Sequence, residues 1–163
     1  MLDPEHIVVE PESVATDTVE QKFWLVEGSK RQKILLDFIN HAEPERAIIF
    51  ANRRDRTHRL VEYLKKKQIS CEGLAGDIPQ KKRLSTLNKF KSGELKYLIA
   101  TDVAGRGIHV DGVTHVINFE LPDDAEDYVH RIGRTGRAGS LGTAISFVSE
   151  DDAFNLPALE EYL

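Results

Sequence analysis

Residues 128–139 have the sequence Tyr128-Val129-His130-Arg131-Ile132-Gly133-Arg134-Thr135-Gly136-Arg137-Ala138-Gly139. Three arginines lie within seven residues, and glycine recurs at every third position from Gly133. Glycine costs a helix about 1 kcal/mol relative to alanine, so this spacing favours a tight loop. A guanidinium is always charged, and its planar fork suits phosphate oxygens. The pattern predicts a loop that presents Arg134 and Arg137 to phosphate.

The segment just before this loop carries the opposite charge. Pro122 is followed by Asp123-Asp124-Ala125-Glu126-Asp127. A proline and acidic residues in the first turn are helix-start signals, so a helix is predicted from about residue 123 to 132, ending at Gly133. On charge alone, a second interpretation stays open, in which the basic loop is solvated and pairs with these acids.

Composition places the chain among ordinary globular proteins. Its 163 residues suit one domain, with 40% hydrophobic and 30% charged residues. The single cysteine, Cys71, excludes an intrachain disulfide and suggests no cysteine-based metal site, which suits a reducing cytoplasm. No signal peptide opens the chain, and the longest apolar run, residues 47–51, is too short to cross a membrane.

The net charge of −5 counts against a free-standing nucleic-acid binder, which usually has a basic excess. Any contact with nucleic acid is therefore expected from local patches, or from another domain that shares the work.

Strand-like and helix-like segments alternate along the chain. Strands are predicted at 19–26, 47–51, 71–75, 96–101, 114–118 and 143–148, after an extended linker at 1–18 that includes Glu10-Pro11-Glu12-Ser13. Between them, helices are predicted from Ser29, from about Asp55 to Lys67, and from Asp77 to Gly93. Alternation of this kind predicts an α/β fold, with a parallel sheet covered by helices on both faces.

Three helix ends and three buried stripes are specific enough to check. Ser29 with Gln32 predicts a capping box, Asp77 predicts a cap ahead of Pro79, and Ser149 with Asp152 predicts a cap for a last helix that Pro157 must kink or split. The buried stripes are predicted to be Ile34, Leu35, Phe38 and Ile39, then Leu60, Val61 and Leu64, then Leu84, Leu87 and Phe90.

Polar and basic residues follow four of the predicted strands. Ligands of parallel sheets bind beyond the carboxyl ends of the strands, so these residues are expected to share one edge. They are Asn52-Arg53-Arg54, then Gly76-Asp77 with Gln80 to Arg83, then Thr101 to His109, and then Phe119-Glu120-Leu121-Pro122. For Gln80 a plain capping role, and for Lys81 and Lys82 a solvated face, are the competing interpretations.

The segment His130 to Arg137 resembles motif VI of the DEAD-box RNA helicases over its full length. Related DEAH-type and DNA helicases usually have Gln where His130 stands. Residues 48–52 resemble motif IV, Gln80 to Arg83 resemble motif IVa, residues 100–108 resemble motif V, and residues 116–122 resemble the motif after it. The resemblance implies the second, RecA-like domain of such a helicase, over residues 19–163, working with an N-terminal RecA-like domain.

The resemblance also implies roles for individual residues. Arg134 and Arg137 match arginines that reach the γ-phosphate of ATP, which is held with magnesium mainly by the other domain, and Gly107 and His109 match nucleotide-binding positions. His130 is expected to couple to that domain together with Asp102, which also suits an internal tether to Arg131. The implied RNA-backbone contacts are Asn52, Arg53, Gly76, Gln80, Arg83, Thr101, Gly105 and Arg106.

Two positions depart from the family pattern. His109 stands where the family usually has an Asp that bonds the ATP ribose, and Arg53 stands where Thr is common. A neutral histidine makes at most one comparable bond, and an exposed loop residue is the other interpretation of His109. The same His109 and the tail 155–160 resemble one bacterial branch, the RhlB-type helicases. That branch implies the scaffold region of the endoribonuclease RNase E as a partner, and a role in RNA degradation.

The phosphate-binding G-x-x-x-x-G-K-[ST] pattern and an Asp-Glu-Ala-Asp box are both absent from the sequence. The leading hypothesis is therefore one domain of an ATP-dependent RNA helicase, inactive by itself. The alternatives are a free-standing module that binds RNA or a protein, and a DNA-translocating helicase domain, which His130 disfavours.

Overall fold

The computed structural model describes residues 5–9, 18–137, 140–152 and 156–162, with the backbone alone at 5–9, 158 and 162. The predicted linker residues Glu10 to Ser13, Gly139 at the end of the arginine loop, and Asn155 in the tail lie outside the described residues.

Seven strands and six α-helices are described. The strands are β1 Glu5–Val9, β2 Val19–Leu25, β3 Ala47–Phe50, β4 Cys71–Leu74, β5 Tyr97–Ala100, β6 His115–Asn118 and β7 Gly142–Val148. The helices are α1 Arg31–Ala42, α2 Arg54–Lys66, α3 Gln80–Ser92, α4 Asp102–Gly105, α5 Ala125–Ile132 and α6 Leu156–Tyr162, with 3-10 turns at Gly28–Lys30 and Glu150–Asp152.

The strands form one sheet in the order β1-β2-β7-β6-β3-β5-β4. Strands β2 to β7 are parallel, and β1, which lies within the segment predicted as an extended linker, pairs antiparallel with β2. The predicted α/β class with a parallel sheet is confirmed. Within the described part of the chain, no helix is long and apolar enough to cross a membrane.

Side chains of successive strand residues enter two separate cores, because they point to opposite faces of the sheet. In β3, Ile48 and Phe50 pack in one core and Ala47 and Ile49 in the other. The first core lies under α3, α5 and α6, through Phe90, Tyr128, Ile132 and Leu159. The second lies under α1 and α2, through Leu35, Phe38, Ile39, Leu60 and Leu64. Helices therefore cover both faces, as predicted.

Several local predictions were wrong. No Ser29–Gln32 capping box forms, because Gly28–Lys30 makes a 3-10 turn and Lys30 precedes α1 without a side-chain cap. Asp77 does not cap α3, because Pro79 occupies the N-cap position. Leu84 is 52% exposed, and Thr86 is buried in its place beside Phe90.

Other boundaries were correct or nearly so. Helix α5 ends at Ile132 before Gly133, and Gly93 closes α3 in the left-handed conformation with φ 85°. The α5 helix begins at Ala125, because Asp124 is its N-cap and its Oδ1 accepts the Asp127 N–H at 2.8 Å. The Ser149 N–H donates to Asp152 Oδ2 at 2.8 Å and organises a 3-10 turn, which is separated from α6.

Candidate nucleotide and RNA site

The carboxyl ends of the parallel strands form one edge of the sheet, which we call the strand-end edge. Arg131, in the last turn of α5, is the most heavily bonded side chain at this edge. Its Nε and Nη2 donate to the two carboxylate oxygens of Asp102 at 2.6 and 2.8 Å. Nη1 donates to Asn118 Oδ1 at 3.1 Å and to the Glu120 carbonyl at 2.7 Å, and Nη2 also donates to Asn52 Oδ1 at 2.6 Å. All five N–H groups of the guanidinium are therefore satisfied.

This cluster joins four segments that are distant in sequence. The Arg131 guanidinium also lies over the Phe50 ring, 5.2 Å from its centroid, and Arg131 is only 1% exposed. The expected internal partner of Arg131 is thus confirmed, and Asp102 is its main counterion. Because both Asp102 oxygens are engaged inside the domain, coupling by Asp102 to another domain would act through Arg131.

A cavity of about 210 Å³ opens beside this cluster. Seven of the predicted site residues line it, together with three that were not among the predicted site residues, Phe50, Asp127 and Arg131. The seven are Asp102, Gly105, Arg106, Gly107, His109, His130 and Arg134. The structure therefore brings the motif V and motif VI predictions together around one concave surface.

Arg134 lies at the rim of the cavity, tied back to the protein. Its Nη1 donates to the Ile108 carbonyl at 2.6 Å and its Nε to the His130 carbonyl at 3.2 Å. Burial, and then the nearby positive charge of Arg137, lower the pKa of Arg134 from its ordinary value. Two arginines held this close favour an anion between them.

Arg137 differs from its two neighbours in the repeat. It is half-buried, and across the described parts of the chain no hydrogen bond or ion pair engages its guanidinium. The two residues before it are held in place, since Thr135 Oγ1 donates to the Val113 carbonyl and Thr18 Oγ1 donates to the Gly136 carbonyl. A guanidinium that follows such an anchored turn and has no partner within the described residues is suited to hold a phosphate group.

Motif V has glycine at two positions, and the structure favours glycine at each of them for a different reason. A Cβ on Gly105 would lie 2.5 Å from Phe50 Cε1, so the packing of this ring requires glycine. Gly107 has φ 81° with open space around it, so its backbone conformation is what favours glycine. His109, beyond it, is exposed and lines the cavity. The cationic rim and the exposed imidazole fit the phosphates and hydroxyl groups of a nucleotide.

Arg106 projects from the same loop toward α5. It is largely exposed and forms an ion pair with Asp127, Nη2 to Oδ1, at 3.0 Å. Its predicted contact with RNA therefore competes with an internal acidic partner.

The predicted motif IV and motif V contacts are partly structural. The Asn52 amide donates from Nδ2 to the Leu121 carbonyl at 2.9 Å and accepts from Arg131. Thr101 is buried and caps α4, since its Oγ1 accepts the Ala104 N–H at 3.4 Å. Arg53 is exposed beside Asp55, Nε to Oδ1 at 3.2 Å. Of these three predicted RNA contacts, only Arg53 is exposed to solvent, and it is paired with Asp55.

The start of α3 is open to a ligand. Pro79 gives the helix no side-chain cap, so the first N–H groups near Gln80 are unprotected, and Gln80 is exposed. Arg83 is half-buried one turn later. A Cβ added to Gly76 would have nothing within 4 Å, and Gly76 has no positive φ, so neither packing nor backbone conformation requires glycine there.

Glu120 and Asp127 were not predicted as site residues. Glu120 accepts the Asn52 N–H at 2.9 Å and pairs with Arg56 at 3.3 Å, so it holds the motif IV turn. Its place directly after a strand was the available signal, since that is where the other site residues occur. No such signal marked Asp127, because an acidic residue is also common in the first turn of a helix that has no ligand.

Comparison with known proteins identifies the family of this chain. Residues 30–139 match the model described as the helicase conserved C-terminal domain. The chain belongs to that family. It is 55% identical over 162 residues to the ATP-dependent RNA helicase RhlB of Pseudomonas aeruginosa, in a match that covers 99% of this chain and 41% of the relative. The chain thus spans about two fifths of the length of such curated relatives.

Solved structures agree with the family assignment. The Escherichia coli DEAD-box protein SrmB, in a structure bound to the regulator of ribonuclease activity A, has a TM-score of 0.80 and 36% identity, covering 86% of this chain and 84% of that one. Saccharomyces cerevisiae Dbp5, bound to RNA and ADP BeF3, has a TM-score of 0.81 and 30% identity, covering 93% of this chain and 42% of that one. These matches confirm the DEAD-box resemblance and the RecA-like fold.

Proposed function

We propose that this chain is the C-terminal domain of an ATP-dependent RNA helicase, and that it completes an ATP site held mainly by an N-terminal RecA-like domain with magnesium. The observation that carries the proposal is the contrast within the motif VI repeat. Arg131 is fully bonded inside the domain, whereas Arg137 has no hydrogen bond or ion pair within the described residues and lies close enough to Arg134, at the cavity rim, to lower the pKa of that side chain. ATP supplies the phosphoryl group, and the protein supplies positioned charge.

In this proposal Arg134 and Arg137 stabilise the charge that builds on the transferring phosphate when the two domains close. The Arg134 guanidinium is already oriented by two backbone carbonyls, so little orientational freedom is lost on binding. Gly107 and His109 face the sugar and phosphate side, and His130 contacts the other domain. The chain alone is expected to hydrolyse no ATP.

RNA is proposed to cross the strand-end edge with its sugar-phosphate backbone against the protein. The direct contacts are proposed at Arg53, Gly76, Gln80 and Arg83. The shape of the surface beside them is set by Asn52, Thr101, Gly105 and Arg106. The unprotected N-terminus of α3 and the nearby Arg83 support phosphate contact. Phe50 and Phe119 are buried, so neither forms a stacking platform for bases. The contact is therefore expected to be insensitive to base sequence.

The curated relatives support a finer proposal about cellular context. The chain resembles RhlB-type helicases over nearly its whole length. A role in RNA degradation, with the scaffold region of RNase E as partner and the cytoplasm as location, is proposed on that resemblance.

The test removes the Arg137 guanidinium. In a protein that joins this chain to its N-terminal domain, Arg137→Ala is expected to lower RNA-stimulated ATP hydrolysis at least about a hundredfold, toward the loss known for arginine fingers. The melting temperature should not move, because the side chain has no internal partner among the described residues. Arg137→Lys should restore little activity, since a point charge cannot copy the planar fork.

Lys33→Ala is the matched control, because it removes one exposed positive charge on α1, away from the cavity. It should leave turnover unchanged. Retained turnover in Arg137→Ala, or a loss that only follows a fall in melting temperature, would reject the catalytic role and favour a free-standing binding module.

A further inference from the structure

Positive charge is concentrated in one part of the chain. Residues 53–91 contain twelve Lys and Arg against four Asp and Glu, a net charge of +8. The rest of the chain contains ten Lys and Arg against 23 Asp and Glu, a net charge of −13. The overall value of −5 therefore conceals one strongly basic region, and this region comprises α2, β4 and α3.

The fold places this charge on the outer edge of the sheet. β4 is the last strand in the order, and α2 and α3 lie on opposite faces beside it. Glu72 of β4 is approached by Lys65 of α2 at 3.8 Å and by Lys82 of α3 at 4.0 Å. Both lysines are about half exposed, so one carboxylate joins the two helices into a single surface and leaves an excess of positive charge.

A second carboxylate lies against α2, nearer the strand-end edge. Asp77 is shared by His58 at 3.3 Å and Arg54 at 3.8 Å, both from α2. Further along, Lys66 and Lys89 are exposed and have no ion pair within these fully described helices. We call the surface formed by Arg54, Lys65, Lys66, Lys82 and Lys89 the basic edge.

We propose that the basic edge is a second RNA-backbone surface, which continues the path from the strand-end contacts down the outer side of the domain. This inference rests on the proposed function for one point only, which is that the ligand is RNA. Both helices begin at the strand-end edge, next to Arg53 and Arg83, and run away from it for 13 residues. At 1.5 Å per residue, the added path is about 20 Å long.

Charge at the strand-end edge directs the RNA toward β4. The segment after β6 carries Asp123, Asp124 and Glu126, whereas the segments after β3 and β4 carry Arg53, Arg54 and Arg83. Since β6 lies on one side of β3, and β5 and β4 lie on the other, the edge changes from acidic to basic along the strand order. A polyanion is repelled at the first end and attracted at the second.

A nucleic acid fits this surface better than a protein does. Protein interfaces have an apolar core depleted of charge, but Leu84 is the only exposed large hydrophobic side chain of α2 and α3. Lysines spread along two helices match a repeating phosphate backbone, to which they bind without base specificity.

The experiment measures binding of this chain to fluorescent oligouridine strands of about 6 and about 24 nucleotides, at several salt concentrations, starting at low salt. The variant combines Lys66→Gln, Lys82→Gln and Lys89→Gln. Affinity for the long strand is expected to fall about tenfold or more. The slope of log K against log salt should become shallower by roughly 2, for three lost contacts with a single strand. Affinity for the short strand should stay within about twofold.

The matched control combines Lys30→Gln, Lys33→Gln and Lys96→Gln, which removes the same charge from exposed positions outside the basic edge. It should leave both affinities within about twofold. Equal losses in the two triple variants would overturn the proposal as a general effect of net charge. The proposal would also be overturned if the basic-edge variant bound the long strand as tightly as the unaltered chain, and an acidic protein would then be the ligand to test. It would be overturned as well if the unaltered chain did not bind the long strand.

One further arm separates this proposal from the proposed function. Arg83→Ala should weaken the short and the long strand by similar factors, because Arg83 lies at the strand-end edge. If Arg83→Ala has no effect while the basic-edge variant does, the strand-end RNA path is wrong and the basic edge stands. The reverse result rejects the basic edge alone.

Discussion

The buried end of motif VI and its loop use the same residue type for opposite purposes. Arg131 is enclosed by acceptors from three other segments, and its five N–H groups all have partners. Six residues later, Arg137 has no partner among the described residues, although its loop is fixed by Thr135. Spacing brings both arginines to the same edge, but the surrounding acceptors decide which one holds the domain together and which one can meet a ligand.

The largest effect is expected at the enclosed arginine. Arg131→Ala leaves the carboxylate of Asp102 without its counterion and the amides of Asn52 and Asn118 without their donor. Breaking a buried ion pair in this way costs about 3–5 kcal/mol of unfolding free energy. For a domain of this size the melting temperature should fall by roughly 10 °C. Thermal and urea unfolding of the chain would measure both quantities.

Arg137→Ala is the comparison variant, and its unfolding free energy should stay within about 0.5 kcal/mol of the parent. Arg131→Lys should recover only part of the loss, because an ammonium group has three donors and cannot reproduce the fork. Equal melting temperatures for the two alanine variants would remove the distinction between a structural and a ligand-directed arginine.

The sequence predicted the strands and helices that form this edge better than it predicted the hydrogen bonds between their side chains. Alternating strands and helices predicted the sheet and placed Asn52, Asp102 and Arg131 after strands or in α5, and an internal partner for Arg131 was expected. The complete set of acceptors around Arg131 was not expected, because these acceptors lie between 11 and 79 residues away, and periodicity carries no information on such pairs.

Local signals failed where tertiary structure offered a competing arrangement. The Ser29 capping pattern was overridden by a 3-10 turn, in a segment where the Gly28 N–H donates to Glu150, 122 residues away. Asp77 faces His58 instead of capping α3. Leu84 was assigned to the core by spacing, but α3 turns Thr86 and Phe90 inward. The first two errors arose at helix starts, because element boundaries are the least reliable part of a sequence-based prediction.

A smaller effect is expected from the packing beneath the enclosed arginine. Gly105→Ala brings a methyl group against the Phe50 ring, which supports the Arg131 guanidinium. Overpacking of this kind costs about 1–3 kcal/mol. Gly76→Ala is the control, because its surroundings are open, and it should be neutral or stabilising by about 0.4–1 kcal/mol through a less flexible unfolded chain. Urea unfolding of both variants would test the opposite signs, and destabilisation of both by the same amount would contradict the packing argument.

The smallest effect concerns Arg106, which is intermediate between the two regions because it is exposed yet paired with Asp127. Asp127→Asn removes the counterion. An exposed ion pair and a first-turn acid each contribute under about 1 kcal/mol, so the melting temperature should change little. The released guanidinium should instead strengthen binding of a short oligouridine by a few fold and steepen the salt dependence by roughly 0.7, equivalent to one additional contact with a single strand. Asp123→Asn makes the same change of charge at the same helix start, and Asp123 has no ion pair with Arg106. If the two variants gain affinity equally, Arg106 is not restrained by Asp127 and the gain reflects only the lower acidity of this end of α5.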